Sequence, residues 1–128
     1  LPREHLLPAI REVLKTAETR HPGVFFPMEV RVVKGDDAWL SPFAGHATSG
    51  SIAVHRFHEE DPLPFFRTIE PIYQPLGGRP HWGKMHSLTP DVLAQRYPHW
   101  NDFVAMQARL DPQGRMLNPY LKELFGHG

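Results

Sequence analysis

Four residues of this sequence, Glu29, Arg31, His55 and Lys84, are of the types from which a site handling a hydroxyl group or a developing anion can be built: one carboxylate, two fixed cations and an imidazole. Lys84 lies in Arg79-Pro80-His81-Trp82-Gly83-Lys84-Met85-His86, where two imidazoles, an indole and an ammonium group crowd around a glycine. Glycine removes the side chain that would hold another molecule at a distance, and a Trp is costly to leave in water. The segment therefore suits either of two uses. It can let a flat or polar molecule approach with Lys84 pointing at it, or it can form a Trp-anchored turn at a core edge with Lys84 solvated. Glu29 and Arg31 have the two-residue spacing that shares one face of a strand, where the plain alternative is an ion pair on a solvated sheet. For His55 the plain alternative is a packed or half-exposed strand histidine. Taken alone, these residues stop short of a reaction.

Nine histidines also raise a metal site, and His55-x-x-His58-Glu59 is the densest cluster. Residues three apart on a strand point to opposite faces, whereas a two-His chelate needs both rings on one side. The expectation is no metal, with a histidine site as an alternative. No G-x-x-x-x-G-K-[ST] phosphate cradle and no calcium loop is present.

The elements that must position these residues are legible in the spacing. Leu6, Leu7, Ile10, Val13, Leu14 and Ala17 make a helical stripe over 4–20, ended by His21-Pro22-Gly23. Phe25 to Lys34 reads as a strand with Met28, Val30 and Val32 on one face and Phe25, Glu29, Arg31 and Val33 on the other. A turn at Gly35-Asp36-Asp37, a short return at Trp39-Leu40 and a loop over 41–50 follow. Ser51 to His58 reads as a second strand with Ala53, His55 and Phe57 on one face. Asp61-Pro62 opens a helix through Phe66, Ile69 and Tyr73, with Pro71 placed to kink it, and Leu76-Gly77-Gly78 closes it. Pro80 to Lys84 reads as a short edge strand and turn. Thr89-Pro90-Asp91 starts a helix ended by Pro98, Asn101 caps another to Leu110, and Asn118-Pro119 starts a last one to Phe125. The expected fold class is α+β, an antiparallel sheet with helices packed on one side.

At 128 residues and 41% hydrophobic content the chain suffices for one domain with a core and hardly for two. Basic and acidic residues cancel at fourteen each without a Lys or Arg run, so the footprint of a nucleic-acid or anionic-membrane binder is missing and a small molecule is the expected partner. With no cysteine there is no thiolate chemistry and no disulfide framework. No apolar run is long enough to span a bilayer, and the expected location is cytoplasmic. The N-terminus is neither a signal peptide nor an initiator-Met start, so a piece of a longer protein is expected.

Phe26-Pro27-Met28-Glu29-Val30-Arg31, Trp39-Leu40-Ser41-Pro42, Ile52-Ala53-Val54-His55, Arg79-Pro80-His81-Trp82-Gly83-Lys84 and the tail from Leu110 through Asn118-Pro119-Tyr120-Leu121 come in the order that resembles the C-terminal part of the aldonolactone and alditol oxidases. These are FAD-dependent enzymes of the vanillyl-alcohol-oxidase type. The resemblance covers nearly the whole chain. It implies that residues 1–128 are the later portion of the substrate domain, and that the FAD-binding domain is a partner lying outside this chain. It further implies hydride removal from a CH–OH carbon of a polyol or sugar lactone. Glu29, Arg31, His55 and Lys84 then match the catalytic groups. Phe57, His81 and Trp82 match substrate contacts, and Arg31, Lys84 and Asn118 cofactor contacts. A non-catalytic binding module on the same fold is the alternative. Arg56-Phe57 departs from the alditol-oxidase pattern, which tends to carry a small polar residue there. Exposed apolar area is also expected where the rest of the sheet is absent, with self-association of the fragment as its consequence.

Overall fold

The structure is a computed structural model that describes residues 1–125. After a 3₁₀ turn at Arg3–His5 come α1 (Leu6–Arg20), β1 (Glu29–Lys34), β2 (Thr48–Ala53), α2 (Leu63–Tyr73), a 3₁₀ turn at Gln74–Leu76, α3 (Pro90–Arg96), α4 (Trp100–Leu110) and α5 (Pro119–Phe125). β1 and β2 form a two-stranded antiparallel sheet in which Glu29 pairs with Ala53 and Arg31 with Ser51. The fold class is α+β.

The even-numbered face of this sheet meets α1 at Gly50, while Val30 and Val32 on the same face stay exposed, and the helix contacts continue just beyond the strand ends. Met28 and Val54 pack on the cluster of Val13, Phe65 and Ile69, which joins α1 to α2. A Cβ on Gly50 would lie 2.5 Å from Leu6 Cδ1, so the glycine is what lets α1 sit this close to β2. Close approach also decides which side of α1 is buried. Leu6, Ala9, Val13 and Thr16 are inside, whereas Leu7 and Leu14 of the anticipated stripe stay 55% and 44% exposed.

A second core is formed by Leu88, Leu93, Tyr97, Trp100 and Leu124, with Leu40, Trp82 and Phe125 packed against it. It gathers α3, α4, α5 and two loop segments. The helix starts follow the proline and side-chain-cap signals to within a residue or two. Asp61 Oδ1 accepts the Leu63 N–H at 3.0 Å, and Asn118 Oδ1 accepts the Leu121 N–H at 2.9 Å. α4 begins at Trp100, one residue before the anticipated Asn101 cap.

Four strand expectations are corrected. β1 starts at Glu29 instead of Phe25; Pro27 has no N–H to offer a partner strand, so the ladder cannot extend through it. β2 runs over Thr48–Ala53 instead of Ser51–His58. Its first half is the Thr-Ser-Gly stretch read as loop, held by β1 on one side and by Leu1 on the other, where Gly50 N donates to Leu1 O at 2.8 Å. Pro80 to Lys84 forms no strand, and Trp39-Leu40 lies in a turn instead of a return strand.

Candidate active site

Antiparallel pairing puts Glu29, Arg31, Ala53 and Ser51 on the sheet face turned away from α1, because side chains alternate along each strand. There Arg31 Nε lies 2.5 Å from Glu29 Oε1, with both side chains substantially open to solvent at 68% and 45%. Such an exposed pair contributes only about 0–1 kcal/mol to stability. It fixes the carboxylate and the guanidinium relative to each other on an uncovered surface.

His55 is not mid-strand. Continuing the register would set it opposite Pro27, where the ladder has already ended, so it lies two residues beyond β2 with its side chain exposed. It lines the rim of a cleft of about 320 Å³ whose wall includes Val13, Phe26, Met28 and Phe65. Phe57 belongs to an aromatic surface group. Its ring lies 6.4 Å from Phe26 and 6.3 Å from Phe25, which stack on each other at 4.8 Å.

The His81 to Lys84 segment is a tight turn, closed by Lys84 N donating to His81 O at 2.9 Å, with the Gly83 N–H also donated to His81 Nδ1 at 3.0 Å. Trp82 turns inward. Its Nε1 donates to Leu40 O at 2.7 Å and its ring lies 5.3 Å from Tyr97 and 6.3 Å from Trp100. His81 and Lys84 are left exposed on the outer side of the turn. Asn118 is engaged as the cap of α5.

The structure thus joins two of the four catalytic candidates. Among the described residues no hydrogen bond or ion pair links His55 or Lys84 to Glu29 or Arg31. Among the same residues no three His, Asp or Glu side chains cluster as metal ligands.

Several polar residues, Arg79 and His86 of the same stretch among them, make contacts that the sequence does not predict. Arg79 donates to Ala44 O at 2.6 Å and lies 5.0 Å over the Tyr97 ring; burial lowers its pKa and pushes that of Tyr97 up to about 12. His86 meets the Tyr120 hydroxyl, and Glu70 accepts the Ser87 N–H at 2.8 Å. Burial holds the His86 pKa below its ordinary value, with Glu70 acting in the other direction. These are contacts between residues 17 to 35 positions apart, for which local spacing carries no signal.

Residues 1–124 match the family model of D-arabinono-1,4-lactone oxidase. The chain belongs to this family. The aldonolactone-oxidase relatives include the L-gulono-1,4-lactone dehydrogenase of Mycobacterium tuberculosis, 39% identical over 126 residues, which takes in 98% of this chain and 29% of that protein. The L-gulonolactone oxidase of Mus musculus is 37% identical over 98% of the chain and 29% of its own length. The alditol oxidase of a Streptomyces species is 37% identical over 97% of the chain and 30% of its own length. The chain therefore spans a little under a third of the length of these curated relatives.

Proposed function

We propose that this chain is the substrate-domain portion of an FAD-dependent oxidoreductase acting on the CH–OH groups of aldonolactones or sugar alcohols, with most of the FAD contacts made by a domain outside it. The observation that carries the reading is the Glu29–Arg31 pair, held at 2.5 Å with both side chains open to solvent on the sheet face turned away from α1, in a chain of this family. A solvent-open charge pair of little value to stability is placed to meet something else.

The residues present fit one side of such a cofactor. Arg31 and Lys84 are exposed cations suited to an electron-rich heteroaromatic edge and to an ionising hydroxyl, and the Phe25, Phe26 and Phe57 rings offer an aromatic surface. A glycine-rich pyrophosphate cradle is missing from the sequence, which suits contacts to the ring system alone. When bound, the flavin supplies the acceptor for a hydride from the carbinol carbon. The chain's own groups bind and orient. Glu29, braced through Oε1 by Arg31, has Oε2 to accept the substrate hydroxyl's hydrogen bond. Lys84 supports negative charge growing on that oxygen, and His55 steadies a neighbouring hydroxyl.

The test uses the full-length protein with L-gulono-1,4-lactone and xylitol as substrates. The variants E29Q, R31M and K84M should each lower turnover roughly a hundredfold, as loss of one positioned polar group does. Flavin content and melting temperature should stay unchanged. Wild-type turnover in all three variants, with flavin intact, would overturn the assignment.

A further inference from the structure

We propose that Glu70 and Tyr120 are positioning residues for Lys84, acting through the segment that follows it; the inference rests on the role given to Lys84 above. A lysine has a long, freely rotating stem, so the protein's strongest control over its ammonium is control of its backbone. Lys84 sits between two anchors. Two residues before it, Trp82 is packed in the second core and donates to Leu40 O at 2.7 Å. Two residues after it, His86 Nε2 meets the Tyr120 hydroxyl on α5. Next, the Ser87 N–H donates to Glu70 Oε1 on α2 at 2.8 Å, and Leu88 enters the core at 9% exposure. Residues 84–88 have no regular secondary structure, so these contacts substitute for a ladder in holding the chain.

The chemistry of His86 gives the clamp a direction. Leu88 N donates to His86 Nδ1 at 3.2 Å, so Nδ1 carries a lone pair. In the neutral ring the proton is then on Nε2, and His86 donates it to the Tyr120 oxygen. Glu70 is beside the same ring from α2, and its carboxylate accepts the neighbouring backbone N–H. Two helices from distant parts of the sequence therefore converge on the strand-less segment carrying the candidate catalytic cation.

The experiment is a double-mutant cycle in the full-length protein with L-gulono-1,4-lactone. Y120F and E70M should each lower kcat about tenfold, with KM and flavin content nearly unchanged, because a misplaced cation that acts on the transition state is read in kcat. E70Q keeps an oxygen that accepts the Ser87 N–H and should restore most of the loss seen with E70M. In a K84M background Y120F should add nothing. An equal further loss in that background, or wild-type kcat in Y120F and E70M while K84M is impaired, overturns this inference and leaves the function standing. Unchanged turnover in K84M removes the role on which this inference rests and overturns it, while the function is then decided by E29Q and R31M. Should Y120F fold poorly by melting temperature, the comparison of E70M with E70Q decides.

Discussion

Trp82 Nε1 donates to the Leu40 carbonyl at 2.7 Å, tying the His-Trp-Gly-Lys turn to a segment 42 residues earlier in the chain. The bond satisfies the single donor of the half-buried indole, and the ring lies near Tyr97 and Trp100. Trp82→Phe keeps an aromatic ring and deletes the donor, leaving the Leu40 carbonyl without this partner. Stability should fall by about 1–2 kcal/mol, read as a shift of the denaturant midpoint. A midpoint equal to that of the parent would show that the indole N–H contributes nothing to holding the turn.

Gly50 and Leu6 define the closest approach of α1 to the sheet. A methyl group at Gly50 would stand 2.5 Å from Leu6 Cδ1 and 2.9 Å from Leu6 Cβ, distances real Cβ atoms do not reach. Gly50→Ala should therefore cost about 1–3 kcal/mol through overpacking. In combination with Leu6→Ala the total loss should be smaller than the sum of the two single losses, since both changes act on one contact. Simple additivity in the double variant would place the strain elsewhere.

Two histidines contribute to the response to acid. His86 and His46 both have pKa values held below the ordinary 6.5, His86 by burial against the opposing pull of Glu70, and His46 by burial and then by Arg79. The folded state thus prefers both rings neutral. The unfolded chain takes up these protons more readily, so stability is full above about pH 7 and falls as pH drops through 6.5 towards the lower folded values. The unfolding midpoint followed from about pH 8 to about pH 5 should decline, and His86→Gln should flatten part of that slope. A midpoint that rises on acidification would contradict the assignment.

The helices were legible because their signals are local. Asp61, Pro90 and Asn118 mark starts by chemistry confined to one turn, and the α1 sequence repeats its apolar residues at helical spacing. The stripe itself was rotated, because which side of α1 is buried is set by Phe65 and Ile69 of α2 and by the sheet at Gly50, all distant in sequence. The strands were less legible. Thr48, Ser49 and Gly50 have loop-like composition and became strand because β1 and Leu1 flank them with free hydrogen-bonding groups. Pro27, whose effect is local, ended β1 where composition alone would have carried it on to Phe25.

The same division runs through the candidate site. Period-two alternation by itself placed Glu29 and Arg31 on one face, and the ordered motifs around them carried the family. Alternation holds only as far as a ladder persists, however, and the register ran out before His55, which therefore stands at a cleft rim beyond the strand. Whether Trp82 or Lys84 would turn outward was likewise undetermined by spacing. That was decided by the aromatic core of Tyr97 and Trp100 and by the Leu40 carbonyl, which draw the indole inward and leave the lysine on the outer side of the turn.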